Sequence, residues 1–237
     1  MGGKKLKRWV EMETFEHVVQ PGFEEVYKKD YYLKGKWANE FFGNMNPVIL
    51  ELGCGKGEYT IALARKNPQK SFIGVDIKGA RMWRGAKDAM DEHLKNVAFL
   101  RTRIELINSF FGTDEISEIW LTFPDPQLKK RRNKKRLTSP RFLNSYNQFL
   151  KTGGIIHLKT DNAVLYHYTL NLIKKNQLEI VKSSEDLYNA DEVTNDLSIK
   201  THYEKQFLSQ GEKIYYLSFK PAKKNLILEQ DERKRIL

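Results

Sequence analysis

A single cysteine, Cys54, in 237 residues leaves no intramolecular disulfide framework and no multi-cysteine zinc site. Long apolar runs are missing too, since no stretch approaches the roughly 18 uncharged residues that a membrane span needs. The opening segment MGGKKLKRWVEMETFEH lacks the apolar centre of a secretory signal. Gly2 invites a myristoylation pattern, but Leu6 stands where Ser or Thr is required. These absences predict a soluble, cytoplasmic protein with no membrane partner. The five histidines, His17, His93, His157, His167 and His202, show no ligand spacing, which predicts no catalytic metal.

What is present is a core and an excess of positive charge. Hydrophobic residues make up 40% and aromatics 12%, too much for a disordered chain. The length suits one α/β domain with additions. Lys and Arg number 41 against 30 Asp and Glu, a net charge of +11, which predicts a polyanionic partner where the basic residues cluster.

From residue 47 onward, short β-branched or aromatic segments alternate with longer helical ones. Strands are predicted over 47–53, 71–77, 96–102, 118–124, 154–160, 179–184 and 213–219. The helical patterns fall at 57–67, 78–94, 140–151 and 162–175. Seven strands in βαβ alternation imply an α/β fold with a mostly parallel sheet and helices on both faces. Ser139 and Pro140 mark one helix start, and Gly153-Gly154 is expected to end that helix. Residues 1–46 read as an irregular basic arm (Lys4, Lys5, Lys7, Arg8) and a short helix, with a short aromatic stretch around Trp37, Phe41 and Phe42. Residues 47–222 form the expected domain, and 223–237 a tail that either frays or forms a short surface helix.

The first predicted strand runs into ELGCGKG, with Gly53, Gly55 and Gly57 just before a helix. Glycines at a strand's carboxyl end permit a tight turn and a close ligand approach. The spacing is neither G-x-G-x-x-G nor a G-x-x-x-x-G-K-[ST] phosphate loop. The loop resembles the first motif of class I S-adenosylmethionine-dependent methyltransferases. Asp76 ends the second strand, where an acid can accept from both ribose hydroxyls of a nucleoside or simply cap the next helix. Glu51, an acid in an apolar strand, suits either a cationic cofactor or loop amides. Cys54 reads as a small loop residue.

The segment after the fourth strand, LTFPDPQLKKRRNKKRLTSPRF, is the most distinctive. Pro124 and Pro126 bracket Asp125 and stiffen its loop, and Asp161 ends the fifth strand. Glu51, Asp76, Asp125 and Asp161 therefore share the edge where open α/β sheets bind ligands. Behind Asp125 come Lys129, Lys130, Arg131, Arg132, Lys134, Lys135 and Arg136, seven basic residues in eight, placed to hold a nucleic-acid backbone.

F-P-D-P with its basic run, R-L-T-S-P-R-F, K-T-D-N and T-H-Y-E are together similar to the bacterial tRNA (guanine-N7)-methyltransferase family over about residues 48–220. The resemblance implies a Rossmann-like class I methyltransferase fold and S-adenosyl-L-methionine as cofactor. It implies methylation of tRNA, at the variable-loop guanosine. Cofactor contacts carried over by position are Glu51, Gly53, Gly55, Asp76, Arg103 and Asp125, with Asp125 also the catalytic acid. Lys129, Asp161, Thr201 and Glu204 carry over as nucleotide contacts, while Arg131, Arg132, Lys134, Lys135 and Arg136 are the expected RNA grip. Two positions depart from the family: Gln127 replaces the usual Trp, and Arg103 stands where an Asp or Asn usually reads the adenine.

The chemistry agrees. F-P-D-P lacks the acceptors of the N-P-P-[FYW] loops used on exocyclic amines, whereas guanine N7 has a lone pair and no proton to remove. The alternatives are an NAD-dependent oxidoreductase, whose glycine spacing is absent, a non-catalytic RNA-binding protein on the same scaffold, and an N7-methylase of another RNA.

Overall fold

The structure, a computed structural model, describes residues 2–189, 193–223 and 225–229. Its first element corrects the expected irregular arm: Gly2–Met12 form helix α1. A helix of this length is marginal in isolation, so docking supplies its stability. It lies along α4 (Gly79–Asp91), where the Arg8 guanidinium sits 4.5 Å from the Trp83 ring centroid. Trp83 Nε1 donates to Glu11 Oε2 at 2.8 Å, and Met12 is buried. Local pattern could not show this, because the partner lies far along the chain.

The next stretch also enters the core. β1 (Val18–Val19) joins the sheet, and the short α2 (Phe23–Val26) follows. A π-helical turn at Trp37–Phe41 then buries Trp37, whose Nε1 donates to the Phe110 carbonyl at 2.8 Å.

The βα alternation then holds. β2 (Val48–Leu52), α3 (Glu58–Lys66), β3 (Ser71–Asp76), α4 and β4 (Val97–Arg101) form the first half. β5 (Ile116–Thr122), α5 (Pro140–Tyr146), β6 (Leu150–Thr160) and α6 (Ala163–Lys175) continue it. β7 (Glu179–Ser184), α7 (His202–Ser209) and β8 (Tyr215–Lys220) complete it. The sheet has eight strands in the order β1-β4-β3-β2-β5-β6-β8-β7, not the expected seven. The extra one is β1, too short to show an alternation in sequence. Neighbours from β1 to β6 are parallel, and β8 runs antiparallel to both β6 and β7.

Burial explains the patterns. β2 is buried along its whole length, as a central parallel strand covered on both faces must be, hence its apolar run. Met82, Gly85, Ala86 and Ala89 of α4 are buried at spacings of three and four, one stripe facing the sheet. The expectation for Gly153-Gly154 is corrected: α5 stops at Tyr146, and both glycines lie inside β6. There Gly153 takes φ +78° and the pairing with β5 changes register between Ile116 and Glu118. The glycines accommodate a bulge, not a helix end. Within the tail, residues 225–229 form no helix. Ile227 is buried and bonds through both backbone groups to the Asn144 amide at 2.9 Å; residues 230–237 lie outside the described residues. No helix among the described residues is long and apolar enough to cross a membrane.

The chain leaves β2 for β3 and β4 on one side and returns to β5 on the other. This reversal opens a crevice at the carboxyl ends of the strands. Its floor is set by a backbone contact: a Cβ on Gly85 would lie 2.6 Å from the Lys56 carbonyl and 3.0 Å from Gly57 Cα. Gly57 has φ +75°, and a Cβ there would lie 2.6 Å from the Phe99 ring.

Elsewhere in a helix, Gly→Ala gains up to about 1 kcal/mol. At Gly85 the added methyl group meets backbone, so Gly85→Ala is expected to lower stability by about 1–3 kcal/mol by displacing the loop. Urea unfolding fixes the sign; a stabilised Ala variant removes the close-approach argument.

Candidate active site at the carboxyl edge of the sheet

The 53–57 loop is built from β3 as much as from its own glycines. Gly53 and Cys54 N–H both donate to the Val75 carbonyl, at 2.8 and 3.1 Å. Gly53 and Gly55 have φ of +81° and +57°. Asp76 braces the turn, with Oδ2 accepting from Gly55 N at 2.9 Å and Oδ1 from Lys78 N at 2.8 Å. Asp76 thus braces the turns on both sides of the strand end without capping α4, whose N-cap is Lys78. Cys54 is buried, and burial raises its thiol pKa well above the usual value, consistent with a packed loop residue.

Glu51 lies beneath the loop at 3% exposure. Its Oε2 accepts from the Thr60 N–H at 2.8 Å and from the Thr60 hydroxyl, and Oε1 accepts from the Thr122 hydroxyl. The Thr60 N–H belongs to the first turn of α3, so the carboxylate satisfies a helix-terminal amide. Burial pushes its pKa up to about 7, with the Thr122 and Thr60 hydrogen bonds opposing. Among these partners none is a cation.

Asp125 sits on an exposed loop beyond β5, one strand over from Glu51 in the sheet order. Its Oδ1 accepts from the Gln127 N–H at 2.9 Å. Two side-chain-bearing residues around it, Phe123 and Gln127, have φ of +49° and +47°, a costly conformation that persists only where surroundings hold it. The Phe123 N–H donates to the Lys159 carbonyl at 2.8 Å and its ring lies 5.9 Å from Phe207 of α7.

The basic run forms a 3-10 turn at Lys130–Lys135 with no buried residue, and Lys129 before it is exposed. Arg136, one of the residues of the expected RNA grip, differs from the others in burial. It is 4% exposed, its Nε donates to the Pro126 carbonyl at 2.9 Å, and its guanidinium stacks 4.2 Å from the Tyr168 centroid. A guanidinium so enclosed is not presented to a phosphate.

Asp161 is half-buried at the end of β6, and burial raises its pKa, helped by Glu212. Thr201 caps α7: its hydroxyl accepts from the Glu204 N–H at 3.2 Å. The Glu204 side chain is 0% exposed and pairs with Lys159 Nζ at 2.7 Å, while Tyr188 OH donates to it at 2.6 Å. Its carboxylate is enclosed by partners within the fold. Lys159 also donates to the carbonyls of Leu197 and Ile199, at 2.9 and 2.8 Å, so this pair ties the segment before α7 to β6. Burial brings Lys159 down to about 8, with Glu204 opposing.

A cleft beside the glycine loop is lined by Gly53, Asp76, Thr102, Arg103, Lys135 and Phe142. Glycine backbone, a strand-end carboxylate and an aromatic wall suit a nucleoside, and Arg103 is at this cleft as expected. The cleft brings together Gly53, Asp76 and Arg103, with Lys135 joining from the basic turn; Gly55 bonds to Asp76, and Glu51 lies beneath the loop against Thr60. The structure sets Asp125 and Asp161 on neighbouring strand ends. Thr60, Thr122 and Phe142 are neighbours of the site that sequence reasoning missed, and Arg136 was named there but in another role. The buried Lys159 carried a legible signal, a charge within an apolar strand.

The family description "Putative methyltransferase" matches residues 45–217. The tRNA (guanine-N(7)-)-methyltransferase of Christiangramia forsetii is 54% identical over 93% of this chain and 99% of its own. That of Bacteroides thetaiotaomicron is 50% identical over 98% of this chain and 91% of its own. Among solved structures, the 16S rRNA methyltransferase KamB superposes with a TM-score of 0.59 at 14% identity, covering 78% of this chain and 93% of that one, a likeness of fold. With the predicted alternation, glycine loop and edge acids all in place, the chain belongs to the tRNA (guanine-N7)-methyltransferase family.

Proposed function

We propose that this protein methylates guanine N7 of tRNA, at the variable-loop guanosine and in the cytoplasm, using S-adenosylmethionine. The observation that carries the reading is one of placement. Lys135 of the basic turn lines the same cleft as Asp76, and Asp125 precedes that turn on the loop leaving β5, stiffened by Pro124 and Pro126. A backbone held by the basic turn would present its base at the mouth of a nucleoside pocket.

In this reading Asp76 accepts from ribose hydroxyls, the 53–57 backbone admits the cofactor closely, and Arg103 borders the adenine. Glu51, beneath the loop, supplies negative charge toward the cofactor's ammonium. S-adenosylmethionine, when bound, supplies an electrophilic methyl group. Guanine N7 offers a lone pair and no proton, so the chain needs no general base. Its task is orientation and charge. Asp125 accepts from guanine N1 and N2 donors and stabilises the positive charge that grows on the ring. Lys129, Asp161 and Thr201 complete the nucleotide's surroundings, and Arg131, Arg132, Lys134 and Lys135 meet phosphates.

Asp125→Asn keeps size but loses charge, and its amide hydrogens oppose the guanine donors. It is expected to slow single-turnover methylation by about 10²- to 10³-fold with cofactor affinity kept. Mass spectrometry of nucleosides from unmodified tRNA reads both points: parent-like rates remove Asp125 from the mechanism, and a product other than 7-methylguanosine overturns the reaction.

Replacing Lys134 and Lys135 with Ala should weaken tRNA binding similarly across tRNAs and flatten its salt dependence, because phosphate contacts release counterions. An unchanged affinity at every ionic strength would make the turn a merely solvated face.

Glu51 gives a pH dependence whose sign follows from its pKa of about 7. Above that value it is a carboxylate and attracts an ammonium, and below it the group is neutral. Cofactor affinity should therefore rise from pH 6 to 8 and level off, and Glu51→Gln should flatten that rise; a parental titration with no slope in this window places the ammonium elsewhere.

A further inference from the structure

We infer that Arg136, the last cation of the basic run, is a positioning residue that fixes the Asp125 carboxylate through a single peptide group. The Pro126-Gln127 peptide is held from both sides. Its carbonyl oxygen accepts from Arg136 Nε at 2.9 Å, and its N–H, on Gln127, donates to Asp125 Oδ1 at 2.9 Å. A guanidinium on the oxygen and a carboxylate on the hydrogen polarise that peptide in the same sense, so each bond strengthens the other. Arg136 Nη2 lies 3.4 Å from the next carbonyl, that of Gln127. The planar fork thus addresses two successive carbonyls, which a lysine ammonium on a flexible stem does not match.

The surroundings explain why this cation alone turns inward. Its neighbours Lys134 and Lys135 are exposed, whereas Arg136 is 4% exposed and lies over the Tyr168 ring of α6. The Tyr168 hydroxyl in turn donates to Glu229 Oε2 at 2.9 Å, so the C-terminal segment backs the ring. The loop needs such a hold. Gln127 keeps φ +47° directly after a proline, and the Arg136 bonds are what select that orientation of the peptide. Losing them frees the N–H that meets Asp125, and with it the carboxylate's direction.

The inference rests on the reading of Asp125 as the catalytic carboxylate. Its test is a double-mutant cycle of Arg136→Gln with Asp125→Asn, read by single-turnover methylation at saturating tRNA and cofactor, alongside tRNA binding over a salt series. In the parent background Arg136→Gln should slow methylation by up to about 100-fold, as misplacement of a reacting constellation does, while the salt slope of tRNA binding stays unchanged. In the Asp125→Asn background it should cost little more. Gln127→Gly, which takes positive φ freely, should restore part of the Arg136→Gln loss.

Three results overturn the inference: a parental rate for Arg136→Gln, a shallower salt slope that makes Arg136 a phosphate contact, or an equal loss with and without the Asp125 carboxylate. Should Arg136→Gln fail to fold by circular dichroism, Arg136→Lys keeps the charge without the fork and carries the same cycle. A parent that makes no 7-methylguanosine overturns the reading of Asp125, and this inference with it. A parent that does, combined with any of the three results, overturns the inference alone.

Discussion

The carboxyl edge depends on one contact in which the 53–57 loop and α4 meet backbone to backbone, with no room for a Cβ on Gly85. Close approach lets the loop sit low over β2 and β3, where Val75 can accept from both Gly53 and Cys54. It also aims the first turn of α3 at Glu51. A wider separation would leave those amides without partners, a cost of about 1–3 kcal/mol for each buried group. The glycines are thus as much a packing requirement of the fold as a provision for a ligand.

Charge is partitioned by depth. Glu51 is buried against hydroxyls and an amide, none of them a cation, and burial raises its pKa to about 7 against those hydrogen bonds. Glu204, equally buried, already has its cation in Lys159. Breaking such a pair by removing one partner typically costs about 3–5 kcal/mol, so it is fixed architecture. Asp125 is exposed and acquires direction from a backbone N–H alone. These three acids look alike in sequence, and their surroundings separate them into one buried without a cation among its partners, one buried and paired, and one exposed.

The sheet and its carboxyl edge were legible because both follow from local signals. Apolar runs, helical stripes and acids at strand ends report on their own segments, and the fold places Glu51, Asp76, Asp125 and Asp161 where those signals put them. What escaped was set by distant partners. Helix α1 forms against Trp83, β1 is two residues long, and Gly153-Gly154 bend a strand because of its register with β5. Nothing within K-K-R-R-N-K-K-R distinguishes Arg136 from its neighbours, since what distinguishes it is Tyr168 on α6.

That last case bears on how basic runs are read. Counting cations gives seven between Lys129 and Arg136, and each phosphate neutralised adds about 0.9 to the salt slope of binding to duplex DNA and about 0.7 on single strands. The count overstates the contact, because Arg136 faces Pro126 and Tyr168. The six others are exposed on or beside one 3-10 turn, where eclipsed i and i+3 side chains point the same way, so only part of them can meet a backbone at once. The run is therefore two parts in sequence, six exposed cations and one buried guanidinium. On the proposed function, their continuity couples the holding of the nucleic acid to the loop that carries Asp125.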